Sequence, residues 1–504
     1  MKTFLIPKIK LRKPILVLGI LSLIFLIFQF TAITPIKVNN DIGVKFDWPD
    51  EVANYFWSQE LATNGRLAIP EILNLVADHQ IHPRSFNTNI AGDLVPGSFL
   101  GLIILFAFLA KIFGVGAIIY FTPFLMLAGV WAFYFLIHKV FASEKIALLS
   151  SSFLLFSAPW LYYSFESLLP NVPVIALFLL SVSLLVYAKK NQYWMSIFSG
   201  FLAGLALAIR PAEFVWFGVV YLVILIAKRK DLSPFDFIGF ALGGVAALVP
   251  SLMWQKEIYG SFFISGYDKL PELAQQSNTF VKLVKQALVP FGVHPKLAFR
   301  NLWHYFILIS PAITSLSVIG IFIYLKKWKT QSKISKIYFW LSAFVFVWLF
   351  NYYGSWLFED LRTLSLNRLG ASYVRYWLIL FAIILPFAAI TVDKGVKFFR
   401  IKYLRLMAII LFALLGLYQV SFADPNNIFS VRKKVVENRI MAGELLKDIP
   451  EKAIIVTNRS DKIFFPERRV IESYGLRGDL ENTLKVLKDN VPVYLHENGE
   501  LKLQ

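Results

Sequence analysis

An adjacent pair of carboxylates, Asp50 and Glu51, is the first feature of the sequence that could do chemistry. The pair lies in the segment FDWPDEVANYFWSQEL, residues 46–61, shortly after the first long apolar run. Pro49 suits the first turn of a helix, and Asp47 is placed to cap its N-terminus. Apolar and aromatic residues then recur at helical spacing, which predicts an amphipathic helix on a membrane surface. A carboxylate there could act as a general base, although acids in a first helical turn also complement the helix dipole.

The elements that must position this pair are membrane helices. The chain has 504 residues, of which 57% are hydrophobic and 16% aromatic, and it has no cysteine, which excludes disulfides and thiolate chemistry. Apolar runs recur at lengths that cross a bilayer as helices. The sequence therefore predicts an all-α polytopic membrane protein with about eleven transmembrane helices. The predicted spans are 14–33, 116–137, 146–164, 172–188, 194–209, 212–227, 237–255, 302–325, 337–351, 372–392 and 403–422.

The loop charges decide the predicted orientation. If residues 97–113 form a helix that does not cross the membrane, the short loops between spans lie on the same side as the N-terminal tail. These segments and Arg405 hold 22 Lys and Arg residues against four acids. Because positive loops stay in the cytoplasm, we expect a multi-pass plasma-membrane protein with a cytoplasmic N-terminus and an extracytoplasmic C-terminus. The formal charge of +19 thus indicates topology rather than nucleic-acid binding.

Two domains are predicted. Residues 1–422 form the membrane module, including a first outer loop at 34–96 that carries eight acids against four basic residues. Residues 423–504 form a small soluble extracytoplasmic α/β domain, because strand-like runs at Ala453–Thr457 and Val491–Leu495 flank a helical pattern.

Several motifs, in order and on one predicted face, resemble the GT-C glycosyltransferases. An Asp-Glu pair opening an amphipathic helix after the first span is their mark. The other motifs are GDLVPGSFLGLIILFAFLAKIFG at 92–114, GFLAGLALAIRPAEF at 200–214, EIYGSFFISGY at 257–267 and SYVRYWLILFAIILP at 372–386. The resemblance covers roughly residues 10–420. It implies a GT-C-like fold and a donor sugar carried on a polyprenyl phosphate, as in protein mannosyltransferases, aminoarabinose transferases and oligosaccharyltransferases.

The resemblance also implies roles for the acids. The first acid of the pair, Asp50, corresponds to the active-site acid that would take the acceptor's proton, with inversion at the sugar. Glu51, the neighbour, could help position the acceptor or a metal, but adjacent helical residues point about 100° apart, so the two acids cannot both face one small centre. Asp47, three residues earlier, is the rival of Asp50. Glu166 corresponds to a second acid that follows the third span in relatives, although an interfacial Glu capping the next helix is the alternative.

Some GT-C enzymes join two such acids through a divalent metal, Mg or Mn. This sequence has no Asp-x-Asp near Glu166, which leaves the metal open and no other cofactor indicated. His79 and His82, with Asp78 beside them, are a further pair that could bind zinc.

Arg375 and Arg210 are the predicted ligands of the donor phosphate, since guanidinium binds phosphate through charge-assisted hydrogen bonds. A snorkelling role for Arg375 and a structural pair of Arg210 with Glu213 are the alternatives. Tyr376 and Tyr267, in the same motifs, could touch the lipid or the sugar, or simply pack at the interface.

The predicted function is therefore glycosyl transfer from a lipid-phosphate sugar to an acceptor protein, lipid or glycan. A lipid or polysaccharide transporter or flippase is the second hypothesis, but its expected mid-helix charges are scarce here. A non-catalytic membrane scaffold is the third.

Overall fold

The computed structural model describes residues 13–33, 44–268, 288–358, 366–401, 403–473, 480–497 and 499–503. The basic N-terminal residues before 13, which enter the predicted orientation, lie outside this description. The helices are α1 Lys13–Ile33, α2 Pro49–Thr63, α3 Gly101–Phe113, α4 Phe121–Phe141, α5 Glu144–Leu155, α6 Ala158–Phe165, α7 Asn171–Tyr187, α8 Tyr193–Ile209, α9 Phe214–Ala227, α10 Pro234–Tyr259, α11 Pro295–Leu302, α12 Pro311–Lys326, α13 Lys333–Tyr352, α14 Ser372–Tyr376, α15 Leu378–Phe399, α16 Leu404–Tyr418, α17 Ile428–Leu445, α18 Asp461–Phe464 and α19 Leu480–Lys488. The strands are β1 Phe86–Thr88, β2 Leu94–Pro96, β3 Ile454–Thr457, β4 Arg469–Glu472, β5 Val493–Glu497 and β6 Glu500–Leu503.

The apolar helices fall into long, bent and short classes. Within the described residues, six helices are long and apolar enough to cross a membrane, and up to nine spans result if each bent helix pair counts as one. The bends are 49° between α5 and α6, 118° between α8 and α9, and 105° before α12. The chain is thus a multi-pass helical protein, and the number of eleven spans stays a prediction.

Helix α3 lies in the segment predicted not to cross. It has 13 residues and is therefore about 20 Å long, shorter than the hydrocarbon core of a bilayer. It packs along α2 and against the end of α8, so it brings the Asp50 helix onto the membrane helices.

Glycines set the close packing of α8 against α10. A Cβ on Gly200 or Gly204 would run into the backbone of α10 at Phe240 or Gly244. The two helices make one of the most extensive contacts in the molecule. This packing fixes the end of α8, where the chain turns sharply at Arg210.

The C-terminal residues form a four-stranded sheet of order β4-β3-β5-β6. Strand β3 is parallel to both β4 and β5, and β5 pairs antiparallel with β6. Both strands predicted from the sequence are present. The sheet packs on the first loop, where Ala77 and Ile81 join Ile454, Val456 and Ile471 in a separate buried cluster.

Candidate functional site

Asp50 lies in the first turn of α2, which begins at Pro49 after an extended Trp48. Its Oδ1 accepts a 2.6 Å hydrogen bond from Ser85 Oγ, and its Oδ2 accepts one of 3.1 Å from Arg375 Nη1. The side chain remains 32% exposed. Each carboxylate oxygen keeps a free lone pair, so the group can accept a further proton or hydrogen bond.

A cavity of about 190 Å³ opens at this carboxylate. Its walls come from the starts of α2 and α7, the ends of α8 and α13, the turn after α10, and α14. The lining residues are Asp50, Asn54, Ser98, Phe99, Leu102, Pro170, Asn171, Ile209, Arg210, Ala212, Tyr267, Phe291, Tyr352, Tyr353, Trp356, Arg375 and Tyr376. One acid, two guanidinium groups and many rings thus share one concave site.

Tyr376 separates the two arginines. The guanidinium carbon of Arg210 lies 4.4 Å from its ring centroid, and that of Arg375 lies 5.1 Å away. Both side chains are at least nine-tenths buried. Cation–π contact with one aromatic ring stabilises two positive charges close together. The arrangement offers a fixed positive wall to an anion in the cavity.

Arg375 is held by three groups. Besides Asp50 and Tyr376, its guanidinium lies 4.9 Å from the ring of Trp48. Its Nε has no hydrogen-bond partner among the described residues. A buried guanidinium with an unused donor is suited to take an additional acceptor oxygen.

Arg210 belongs to a polar network at the break between α8 and α9. Its Nη2 donates to the hydroxyl of Tyr353 at 2.8 Å, and that hydroxyl donates to Glu213 Oε1 at 2.7 Å. Glu213 also lies 3.2 Å from Arg210 and accepts a 2.5 Å bond from the indole of Trp216. The structural pair considered from the sequence is therefore present, and Arg210 lines the cavity as well.

Glu51 points away from the cavity into the protein. It is 2% exposed and forms a side-chain hydrogen bond with Glu166, which is equally buried. The backbone N–H of Leu168 lies 3.5 Å from Glu51 Oε1. Burial, with the neighbouring charge of Asp47, raises the pKa of Glu51 to about 7, and burial beside Glu51 raises the pKa of Glu166 well above its ordinary value. A hydrogen bond between two carboxyl groups requires a proton on one of them, so the two side chains share a proton where this bond forms.

Asp47 faces the C-terminal residues instead. Its Oδ1 lies 2.8 Å from Lys434 Nζ and 3.2 Å from Lys462 Nζ. Burial acts to raise the pKa of Asp47, but the two lysines outweigh burial and lower it. Asp47 does not line the cavity. Through the two lysines it anchors the start of α2 to the C-terminal unit, by which we mean α17, α18, α19 and the four-stranded sheet.

Tyr267 closes one side of the cavity, with its ring edge-on to Phe99 at 4.9 Å. The segment reaches this place because Gly266 lies against the backbone of residues 96–98, where a Cβ would collide. The turn after α10 is thereby fixed beside the β1–β2 hairpin.

Ser85, Trp48 and Tyr353 were not predicted from the sequence. Ser85 lies 35 residues from Asp50, and Tyr353 lies 143 residues from Arg210. A positive φ of 64° at Ser85 follows from the tight loop before β1. Trp48 lies within the first motif, but no spacing in the sequence links Ser85 or Tyr353 to the motifs, since only the fold joins them.

Among the described residues of the cavity, Asp50 is the one carboxylate. Within the described ranges, no three His, Cys, Asp or Glu side chains group to hold a metal ion. Glu166 is turned toward Glu51 and does not join Asp50 at the cavity. His82 Nδ1 contacts the carbonyl oxygen of Pro83 at 3.0 Å, and burial lowers its pKa.

No protein-family model matches the chain, and no curated protein matches it. The chain is similar in structure to ArnT from Cupriavidus metallidurans bound to undecaprenyl phosphate, with 11% identity and a TM-score of 0.55 over 95% of this chain and 89% of that one. The apo state of that protein gives 10% identity and a TM-score of 0.50, covering 95% and 88%. The apo oligosaccharyltransferase of Archaeoglobus fulgidus gives 12% identity and a TM-score of 0.46, covering 95% and 69%. The likeness to the undecaprenyl-phosphate-bound ArnT structure therefore confirms the predicted GT-C-like fold.

Proposed function

We propose that this protein is a membrane glycosyltransferase that moves a sugar from a polyprenyl-phosphate donor to an acceptor on the extracytoplasmic face. The observation that carries the proposal is the cavity in which a partly exposed Asp50 faces two buried arginines. The shared fold supports it, because the similar ArnT structure holds undecaprenyl phosphate. Because the positive loops are predicted to be cytoplasmic, we infer that the cavity faces the extracytoplasmic side.

Asp50 is proposed as the base. An acceptor hydroxyl or amine in the cavity attacks the anomeric carbon of the donor, and its proton passes to a carboxylate oxygen of Asp50. The bond between the anomeric carbon and the phosphate oxygen breaks at the same time. Because there is one displacement and no covalent intermediate, the anomeric configuration inverts.

Arg375 and Arg210 are proposed to bind the phosphate of the donor. Negative charge grows on the bridging oxygen as the sugar leaves, and fixed guanidinium groups stabilise it in a site of low polarity. Arg375 also donates to Asp50, so a bound phosphate competes with the Asp50 carboxylate for the N–H groups of Arg375. When Arg375 binds the phosphate instead, the Asp50 oxygen that it released can accept the proton of the acceptor. Tyr376 and Tyr267 line the part of the cavity in which the sugar would lie.

The remaining predicted acids take other parts in this proposal. Glu51 and Glu166 act as a buried support beneath Asp50, and Asp47 holds the start of α2. No step is assigned to a metal in this proposal, because Asp50 is the one carboxylate among the described residues of the cavity. Activity that persists in EDTA is the expected result.

The test compares wild type with Asp50→Asn at equal expression in membranes. Labelled sugars on a panel of polyprenyl mono- and diphosphates are supplied with endogenous acceptors, and transfer is measured. The amide keeps the size and the hydrogen bond from Ser85 but cannot take a proton. We expect transfer to fall by a factor of about 10²–10⁴.

Glu60→Gln is the matched control. Glu60 lies on the same helix and is paired with Arg66 at 2.9 Å, outside the cavity. Its substitution should leave transfer unchanged. Equal transfer by wild type and Asp50→Asn would refute Asp50 as the base. No transfer by wild type with any donor of the panel would refute the proposed function.

A further inference from the structure

A second cavity, of about 620 Å³, lies at the other end of the helix bundle. We call it the basic cavity, since five lysines and a single acid, Asp231, line it. The lysines are Lys139, Lys189, Lys190, Lys228 and Lys333. They come from four different segments: the end of α4, the loop after α7, the end of α9 and the start of α13.

The basic cavity is distant from the candidate site. Helix α7 begins at the candidate site with Asn171 and ends at the basic cavity with Tyr187. Helix α13 runs the other way, from Lys333 to Tyr352. Helices of 17 and 20 residues span about 25 and 30 Å, so the two cavities lie near opposite surfaces of the membrane.

One of the five lysines has its donors satisfied within the chain. Lys228 Nζ donates to the carbonyl oxygens of Leu185, Val186 and Ala188 and so caps the end of α7. Lys139 lies 5.5 Å from the ring of Tyr187. Lys139, Lys189, Lys190 and Lys333 are exposed and form no ion pair in the described part of the chain. Four such charges around one concavity repel one another and favour an anion.

The basic cavity continues into an apolar one of about 90 Å³, which we call the apolar groove. The two share Val186, Ile224, Ile334 and Ile337 as lining residues. The groove runs between α4, α7, α9, α13 and α15 and is lined almost entirely by aliphatic and aromatic side chains. A ligand that fits both parts has an anionic head and an apolar chain.

We propose that the basic cavity binds the phosphate headgroup of an anionic membrane phospholipid, with the first carbons of one acyl chain in the apolar groove. Basic pockets between transmembrane helices on the cytoplasmic side are suited to such headgroups. A free phosphate would use the lysines but leave the groove empty. The continuity of the two cavities therefore favours the lipid.

The test uses the full chain in detergent with short-chain phosphatidylglycerol as the probe, and lipid binding is measured by native mass spectrometry. The variant Lys139→Gln/Lys189→Gln/Lys190→Gln removes three charges from the rim and leaves Lys228 in place. Each lysine contributes roughly fivefold to binding near a surface, so the triple variant should weaken binding by about a hundredfold. The neutral phosphatidylcholine should bind wild type at the level of that variant.

The matched control is Lys145→Gln/Lys230→Gln/Lys329→Gln, which removes equal charge from exposed lysines near the same end of the bundle but outside the cavity. It should bind phosphatidylglycerol like wild type. If both triple variants bound phosphatidylglycerol equally weakly, general surface charge would explain the binding, and the proposed site would be refuted. Wild-type binding by the rim variant would also overturn it.

Ile337→Trp separates the lipid from a free anion. It fills the junction between the basic cavity and the apolar groove and leaves every lysine in place. The lipid proposal requires that this variant lose phosphatidylglycerol, and that millimolar inorganic phosphate compete poorly in wild type. Unchanged lipid binding by Ile337→Trp, or displacement by inorganic phosphate, would make the cavity an ion site and overturn the proposal.

Discussion

The buried carboxyl pair beneath the candidate site makes stability depend on pH. Burial, with the nearby charge of Asp47, raises the pKa of Glu51 from its ordinary 4.5 to about 7. An acid whose pKa is raised by folding binds its proton more tightly in the folded state. Its contribution to stability is therefore full below about pH 4.5 and is lost as the pH rises through 7.

The size of the effect follows from that pKa. Each pKa unit corresponds to about 1.4 kcal/mol, so the rise of Glu51 amounts to about 3 kcal/mol between pH 5 and 8. Solvent screening reduces this free energy only slightly, because the Glu51 side chain is only 2% exposed. Glu51→Gln removes the titrating group and keeps an oxygen for the N–H of Leu168 and an amide for Glu166.

Thermal unfolding in detergent, measured from pH 5 to pH 8, tests this reasoning. Wild type should lose several degrees of Tm over that range relative to Glu51→Gln. Glu60→Gln, on the same helix but paired with the exposed Arg66 instead of a second carboxyl group, should follow the wild-type curve. Parallel curves for wild type and Glu51→Gln would show that Glu51 ionises normally in the folded protein, and the buried-pair argument would fail.

Two further predictions concern the arginines around Asp50. Arg375→Gln should lower kcat/KM for sugar transfer by about 10²–10³, because it removes the positive charge that faces the leaving phosphate. Arg375→Lys should restore part of the loss in the same assay. Equal rates in Arg375→Gln and wild type would exclude a phosphate role for Arg375. Arg84→Gln should speed tryptic release of the C-terminal unit, because Arg84 binds the buried Asp461 through contacts of 2.6 and 2.8 Å. Unchanged digestion would show that the apolar cluster alone docks the C-terminal unit.

The helices were predictable from the sequence because hydrophobic length and loop charge are local properties. The amphipathic helix at Pro49 and the short apolar helix after Gly97 also carry their signals within a few residues. The bends are harder to predict. Pro211 marks the break after α8, but the 118° angle depends on how α8 packs on α10.

The candidate site was predictable only where a residue lies in a motif. Asp50, Arg210, Tyr267, Arg375 and Tyr376 line one cavity, as their shared predicted face suggested. Ser85 comes from a loop without a periodic pattern, and Tyr353 caps α13 at a distance of 143 residues from Arg210, so neither partner has a local signal. The opposite directions of Asp50 and Glu51 follow from the 100° step of a helix, but the pairing of Glu51 with Glu166 needs the fold.

The C-terminal unit contacts two segments that position Asp50. Asp47, three residues before it, is bound by Lys434 and Lys462. Arg84, one residue before the serine that donates to Asp50, is bound by Asp461. The C-terminal unit thus holds the segments that carry Asp50 and its partner Ser85, while the other direct partner of Asp50, Arg375, lies on α14 next to α15. Docking of the C-terminal unit is therefore expected to hold the start of α2 and the loop of Ser85 in place, and with them the carboxylate that faces Arg375.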